Sequence, residues 1–157
     1  MEMISDREHI LLAVIDRLRI IRATDAAWLA GYTDYTYCRK CLRKLCDMGL
    51  LQICRDSAGS NYYYLSGRGL AVLGKQTSHT YEVSATTHHA LVVGRVCAWL
   101  RHTEGASPRE LLTDSVLRSK GDKQRHRPDI VFRGHAYEIE LNHKPLSLLE
   151  KNIRDNN

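Results

Sequence analysis

The segment 34–65 constrains the fold more than any other part of the chain. Within it, Cys38, Leu42 and Leu45 recur at i, i+4 and i+7, which is the spacing of one face of an α-helix. Gly49 follows and is the residue type that most often ends a helix. Two segments of strand-like sequence come next, on either side of a polar turn. The pattern predicts a helix that leads directly into a β-hairpin.

The positive charge of the predicted helix lies away from its apolar stripe. A cationic helix beside a hairpin is how winged helices bind DNA, with the helix in the major groove and the hairpin on the backbone. Two other interpretations stay open: a solvated helix face, and a winged helix that binds protein. We predict DNA contacts from helix residues and from two residues at the hairpin: Tyr35, Thr36, Tyr37, Arg39, Lys40, Arg43 and Lys44, then Arg55 and Asn61.

Two helices are expected before this segment. The first, over 6–21, has Ser5 or Asp6 as its cap, and the second begins at Thr24 and ends before Gly31. The two strands of the hairpin are predicted at 50–55 and 62–65, and a short helix is predicted over 66–74. This is the element order of a winged helix, which we assign to residues 1–74. The apolar stripe of the first helix is formed by Ile10, Leu11, Val14, Ile15 and Leu18.

A second unit is expected after a polar linker at 75–85. Helical spacing predicts a helix over 87–100, and strands are expected at 110–117, 129–132 and 136–141. A last helix begins at 146 and the chain stops at 157, so we expect residues 86–157 to form an incomplete α/β unit. The fold class is therefore α+β. The stripe of the 87–100 helix is Leu91, Val92, Val96 and Trp99.

The net charge, the hydropathy and the cysteines indicate which partners and which cellular compartment to expect. The net charge is +5, which favours an acidic partner such as nucleic acid. No apolar run approaches the ~18–20 residues that span a bilayer, and we expect no membrane partner. An odd number of cysteines, five, indicates free thiols in the cytoplasm. We expect no zinc on them, because Cys38 occupies the buried stripe of a helix.

Acidic residues cluster near the end of the chain. Glu138 and Glu140 are two apart in a predicted strand and share a face, and Asp129 on the neighbouring strand can project to it. Such a group could bind Mg²⁺, with Lys144 nearby to stabilise phosphoryl charge. Alternatively, the acids are solvated or pair with bases such as Arg127.

Five short motifs carry a resemblance to a known family: residues 42–51 (LRKLCDMGLL), 64–69 (YLSGRG), 89–93 (HALVV), Pro128-Asp129 and 138–144 (EIELNHK). With these motifs the chain resembles the replication-relaxation family, accessory proteins of plasmid replication and mobilisation. The resemblance implies a winged helix joined to a domain similar to the PD-(D/E)xK nucleases. It implies that Asp129 is the first motif acid, that Glu138 or Glu140 is the second, and that Asp114 is the acid of the preceding strand.

One departure from the family pattern bears on catalysis. The motif lysine should follow the second acid by two residues, but Asn142 or Glu140 stands there, and Lys144 lies further along. We therefore expect a DNA-binding accessory or regulatory protein of a mobile element, with a mainly non-catalytic second unit. We expect that it requires no cofactor, and Mg²⁺ is the one ion that its acids could bind. Double-stranded DNA, a relaxase or replication protein, and a second copy of the chain are the expected partners. The alternatives are a Mg²⁺-dependent endonuclease using Asp114, Asp129, Glu138 and Glu140, and a protein-binding adaptor.

Overall fold

The computed structural model describes residues 3–77, 80–123 and 126–141. These ranges form an α+β protein, as the sequence predicts. No helix within them is both long and apolar enough to cross a bilayer. In chain order the elements are α1 (Asp6–Leu18), β1 (Ile20–Arg22), α2 (Ala23–Leu29), α3 (Tyr35–Asp47), β2 (Leu51–Arg55), β3 (Asn61–Leu65), α4 (Gly67–Val72), α5 (Thr87–Glu104), β4 (Leu112–Thr113), α6 (Asp114–Ser119), β5 (Ile130–Phe132) and β6 (His135–Tyr137).

The strands form two three-stranded antiparallel sheets. The first has the order β1-β3-β2, in which Tyr63 of the central strand lies between Ile21 and Ile53. The second has the order β4-β5-β6. The hairpin β2–β3 agrees with the sequence prediction, whereas β1 was not predicted. A strand of three residues is too short to show an alternating pattern, and its pairing with β3 is a tertiary contact.

Helix α1 begins with a capping box. Ser5 Oγ accepts a hydrogen bond from the backbone N–H of Glu8, while Glu8 Oε2 accepts one from the backbone N–H of Ser5 at 2.8 Å. Leu11 and Ile15 are fully buried, but Ile10 is 48% exposed, so its placement in the apolar stripe was wrong. The cap prediction for α2 was also wrong, because Arg22 rather than Thr24 precedes its first turn.

Helix α3 lies where the sequence predicts a helix and ends, as expected, just before Gly49. The side chain of Asp34 caps it by accepting hydrogen bonds from the N–H groups of Thr36 and Tyr37. Gly49 ends it with a φ of +71°, a left-handed conformation that favours glycine. The predicted stripe is confirmed, because Cys38, Leu42 and Leu45 are all fully buried. This burial fixes which side of α3 meets solvent.

Helix α5 joins the two halves of the chain into one hydrophobic core. Cys97 and Leu100 of α5 share that core with residues of α1, α2, α3 and the second sheet. Near its start, Leu91 packs with Ile20 and Tyr62 on the opposite face of the first sheet. That sheet therefore has apolar cover on both faces. Trp99, expected in the stripe, is instead 50% exposed.

A buried carboxylate connects α2 to α5. Asp25 is 1% exposed, and its Oδ1 lies 2.9 Å from Nε of Arg95, without the alignment of a hydrogen bond. A second nitrogen of Arg95 donates to Thr24 Oγ1 at 3.2 Å. Burial raises the pKa of Asp25, and the nearby charges of Arg95 and Arg22 only partly oppose the rise.

The raised pKa of Asp25 predicts a pH dependence of stability. The folded state holds this proton to higher pH than the unfolded chain, so its stabilisation is complete below the unfolded pKa and is lost as pH rises through the folded pKa. We expect Asp25→Asn to remove this loss. Urea unfolding should show the variant gaining stability relative to the wild type between about pH 4 and pH 7. Asp47→Asn, at an exposed carboxylate of α3, is the control, and an equal gain there would contradict the prediction.

Candidate nucleic-acid interface

Most of the helix residues predicted to contact DNA lie on one exposed side of α3. Thr36, Arg39, Lys40 and Arg43 are exposed, opposite the buried stripe. Tyr35 and Tyr37, both aromatic, are 43% and 46% exposed. The guanidinium of Arg39 lies over the ring of Tyr35, at 5.9 Å from the ring centre. The first turns of α3 therefore combine cations, hydroxyls and aromatic surface.

Lys44 is placed differently from the other predicted cations. Its Nζ lies 3.0 Å from Oε1 and 3.2 Å from Oε2 of Glu8 in the cap of α1. Burial alone would raise the pKa of Glu8, but hydrogen bonds from Ser5 and Lys44 outweigh it and hold the pKa below its usual range. Lys44 therefore ties α3 to α1, and its contribution to a ligand-binding surface is reduced.

The hairpin holds its turn through side-chain hydrogen bonds. Arg55 Nε donates to Asn61 Oδ1 at 3.0 Å across the base of the turn. Asp56 accepts hydrogen bonds from the Tyr62 hydroxyl and the Ser60 N–H, which hold the pKa of Asp56 below its usual range. Both predicted hairpin residues, Arg55 and Asn61, thus lie together where the strands enter the turn.

A cleft of about 310 Å³ separates α3 from the hairpin, and we refer to it as the hairpin cleft. Arg39 and Asn61 line it, together with Arg22, which sequence reasoning missed. Arg22 ends β1 and lies over the ring of Tyr62, at 5.6 Å from the ring centre. No sequence pattern pointed to Arg22, because its position depends on the unpredicted pairing of β1 with β3. The remaining lining residues include Ala23, Thr24, Tyr35, Gly59, Ser60 and Tyr63.

Asp114 is not on a strand, contrary to the prediction for 110–117. Only Leu112–Thr113 are extended, and Asp114 begins helix α6. Its two carboxylate oxygens accept hydrogen bonds from Nε of Arg118 at 2.8 Å and from Nε of Arg127 at 2.7 Å. Two guanidinium groups thus surround the acid that the nuclease alternative includes among its catalytic residues.

The acids near the chain end also depart from the expected strand geometry. Strand β6 ends at Tyr137, so Glu138 and Glu140 do not project from one strand face. Asp129 Oδ2 accepts a hydrogen bond from the Ile139 N–H at 2.7 Å and lies 3.3 Å from Nε2 of His89. Glu138 Oε1 lies 2.8 Å from Nε2 of His126.

Asp114 and Asp129 do meet in one cleft of about 350 Å³. The backbone N–H of Asp114 donates to the carbonyl of Asp129 at 3.2 Å, which holds the two segments together. Glu138 and Glu140 are not among the described residues that line the cleft. Lys144 lies outside the described ranges. Among residues 3–77, 80–123 and 126–141, no three side chains of His, Cys, Asp or Glu form a group suited to a metal ion.

All five cysteines are free thiols. Cys38 and Cys97 are fully buried on different helices, and burial raises the pKa of each to about 12. A thiol that resists ionisation is a poor nucleophile and a poor metal ligand. Both therefore pack as small apolar side chains.

No family model matches this chain, and no curated protein matches it. Function must therefore be argued from the geometry.

Proposed function

We propose that the chain is a DNA-binding accessory or regulatory protein that contacts double-stranded DNA through α3 and the β2–β3 hairpin. The observation that carries this proposal is the exposed side of α3, where Arg39, Lys40 and Arg43 stand clear of the buried stripe. Arg22 and Arg55 extend the positive charge to the adjoining hairpin. Proteins that bind duplexes without covalent chemistry rely on such cations to neutralise phosphates.

The shape of this surface suits the winged-helix mode of binding. Helix α3 has 13 residues, with a side chain as N-cap and a rigid apolar attachment to α1 and α2. Its first turn offers Thr36 and Tyr37, which can donate and accept hydrogen bonds at base edges. The hairpin cleft leaves space between helix and hairpin for a sugar–phosphate strand. In this mode Arg22 and Arg39 face that strand from opposite sides.

The second half of the chain is proposed to act without nuclease chemistry. The Asp114 carboxylate accepts hydrogen bonds from Arg118 and Arg127. The Asp129 carboxylate accepts one from a backbone N–H and lies beside His89. Cations that neutralise carboxylates compete with a divalent metal for them. This half then serves as a platform for a relaxase or replication protein, or for a second copy. The mobile-element setting rests on the family resemblance, and the free thiols suit a reducing cytoplasm.

The interface predicts a specific loss of DNA affinity. In Lys40→Ala/Arg43→Ala, two exposed cations are removed from α3 without touching its core. Affinity for every duplex sequence should fall about tenfold or more, and the slope of log affinity against log salt should flatten by about two units. Mobility-shift or anisotropy titrations over a range of salt concentrations measure both quantities.

A charge-matched control is available in the second half. Lys120→Ala/Lys123→Ala removes the same charge from exposed positions after α6. Its affinity and slope should stay close to those of the wild type. Equal losses in both double variants would show that net charge alone drives binding. Absence of duplex binding by the wild type would favour the protein-binding adaptor instead.

A further inference from the structure

The cleft that contains Asp114 and Asp129 is richer in cations than in acids, and we name it the arginine cleft. We propose that it is a binding site for a phosphate group carried by a nucleotide or by a nucleic-acid end. This goes beyond the proposed duplex contact, because no residue of α3 lines the cleft in the described part of the chain. Four arginines and two histidines line it against two aspartates: Arg17, Arg19, Arg118, Arg127, His89 and His126.

Asp114 organises two of the arginines without cancelling both charges. Each of its oxygens accepts from a different guanidinium, Arg118 on one side and Arg127 on the other. One carboxylate therefore fixes two cations at a defined spacing. A guanidinium has five N–H donors, and the contact of Arg118 with Asp114 through Nε leaves its outer nitrogens able to donate to an oxyanion. Arg127 is held more firmly, because its Nη1 also donates to the carbonyl oxygen of Asp122 at 3.4 Å. Arg118 is 65% exposed and can turn these donors toward solvent or a ligand.

Arg17 adds a positive charge that backbone carbonyls hold in place in the described part of the chain. Its guanidinium donates to the carbonyl oxygens of Leu111 at 2.9 Å and Arg109 at 3.4 Å. Carbonyl oxygens fix the orientation of a guanidinium but carry no formal charge. Among described residues, its hydrogen bonds go to the backbone alone. Partial burial strengthens the field that such a charge creates in the cleft.

The two histidines stand at the cleft already oriented. His89 approaches Asp129 and His126 approaches Glu138, each through Nε2. In each histidine the carboxylate fixes the orientation of the ring through Nε2, and the other ring nitrogen, Nδ1, does not contact that carboxylate. The side chains are 37% and 35% exposed, so both are accessible from the cleft. Each can offer a donor to a phosphate oxygen when protonated.

The size of the cleft indicates more than an inorganic ion. About 350 Å³ lies within the range of sites for small organic ligands, and well above the space that one phosphate fills. Ala90 and Val93 provide apolar wall beside the charged groups. A phosphate monoester suits such a cleft, because its phosphate can meet the charged groups while its sugar or base lies along the apolar wall. Its double negative charge also distinguishes it from the singly charged phosphodiesters within a duplex.

The test compares phosphate binding in variants of the full chain. Inorganic phosphate should raise the melting temperature of the wild type over a chloride control of equal ionic strength. Titration calorimetry with adenosine 5′-monophosphate should give saturable binding, and Arg118→Gln should weaken it about tenfold. Arg118→Glu should abolish it. Because Arg118 is 65% exposed, both variants are expected to fold.

Arg43→Glu provides the matched control, since it reverses the charge of an exposed arginine of α3, outside the cleft lining. Its affinity for the nucleotide should equal that of the wild type. The proposal is overturned if the wild type shows no phosphate-dependent effect, or if Arg118→Glu and Arg43→Glu weaken binding equally. Lys40→Ala/Arg43→Ala should bind the nucleotide normally. Failure of duplex binding with intact nucleotide binding would therefore reject only the proposed function.

Two arms identify the source of the phosphate. A single-stranded oligonucleotide with a 5′-phosphate is compared with the same oligonucleotide ending in a 5′-hydroxyl. Tighter binding of the phosphorylated strand that Arg118→Glu removes assigns the cleft to nucleic-acid ends. Equal binding of the two strands, with saturable binding of the mononucleotide, assigns it to free nucleotides. Binding of none of these ligands overturns the proposal.

Discussion

Gly69→Ala is expected to lower the free energy of unfolding by about 3 kcal/mol, at the upper end of the usual cost of overpacking. A Cβ at this position would stand 2.1 Å from the carbonyl oxygen of Leu50 and 2.9 Å from Cδ2 of Leu65. The carbonyl cannot easily retreat, because it accepts hydrogen bonds from the N–H of Ser66 at 3.0 Å and from its hydroxyl at 3.1 Å. The added methyl group must therefore push α4 away from the hairpin.

Gly67→Ala is the matched control in the same short helix. Its Cβ would make an ordinary contact of 3.6 Å with Thr77. Both substitutions gain the helix propensity of alanine over glycine, so their difference isolates the collision. Urea unfolding followed by circular dichroism measures both. Similar stabilities of the two variants would contradict the close approach of α4 to Leu50.

Arg95→Met is expected to cost about 2 kcal/mol of stability. Removing the guanidinium leaves the carboxylate of Asp25 buried without its ionic partner, and losing one side of a buried pair typically costs about 3–5 kcal/mol. We expect less here because Arg95 is itself about half exposed and screened by solvent. Methionine retains most of the apolar stem, so lost packing contributes little.

A double-mutant cycle separates the ionic contribution from other effects. In an Asp25→Asn background there is no buried charge to leave unpaired, so Arg95→Met should then cost less than about 0.5 kcal/mol. The four unfolding free energies are measured at neutral pH. A cost that is the same in both backgrounds would mean that Arg95 acts through Thr24 or through packing alone.

The local sequence pattern was enough to predict α3 and the β2–β3 hairpin. The stripe of Cys38, Leu42 and Leu45 and the glycine at 49 act within a few residues of one another, so both can be recognised in the sequence. The prediction of a strand at 110–117 was wrong because the local pattern suits a strand and a helix equally well. Only Leu112–Thr113 pair with β5, and a helix begins at Asp114.

The site was less predictable than the fold around it. Periodicity identified which side of α3 is exposed, but it could not show that Lys44 pairs with Glu8, which lies 36 positions earlier. Arg22 was missed because its cleft is formed by three separate segments. The grouping of Asp114 with Asp129 was expected from the family resemblance, whereas Arg118 and Arg127 around Asp114 were not. Ion pairs between distant segments leave no periodic trace in a sequence.

The apolar cover on both faces of the first sheet has a consequence for synthesis of the protein. The ribosome adds Ile20 and Tyr62 before their packing partner Leu91, which lies in α5. Until α5 leaves the ribosome, one side of the nascent sheet is open to solvent and to other apolar surfaces. A gene truncated at residue 74 would make that condition permanent. We expect such a product to bind chaperones or aggregate, whereas a chain that extends through α5 covers the sheet as soon as it emerges.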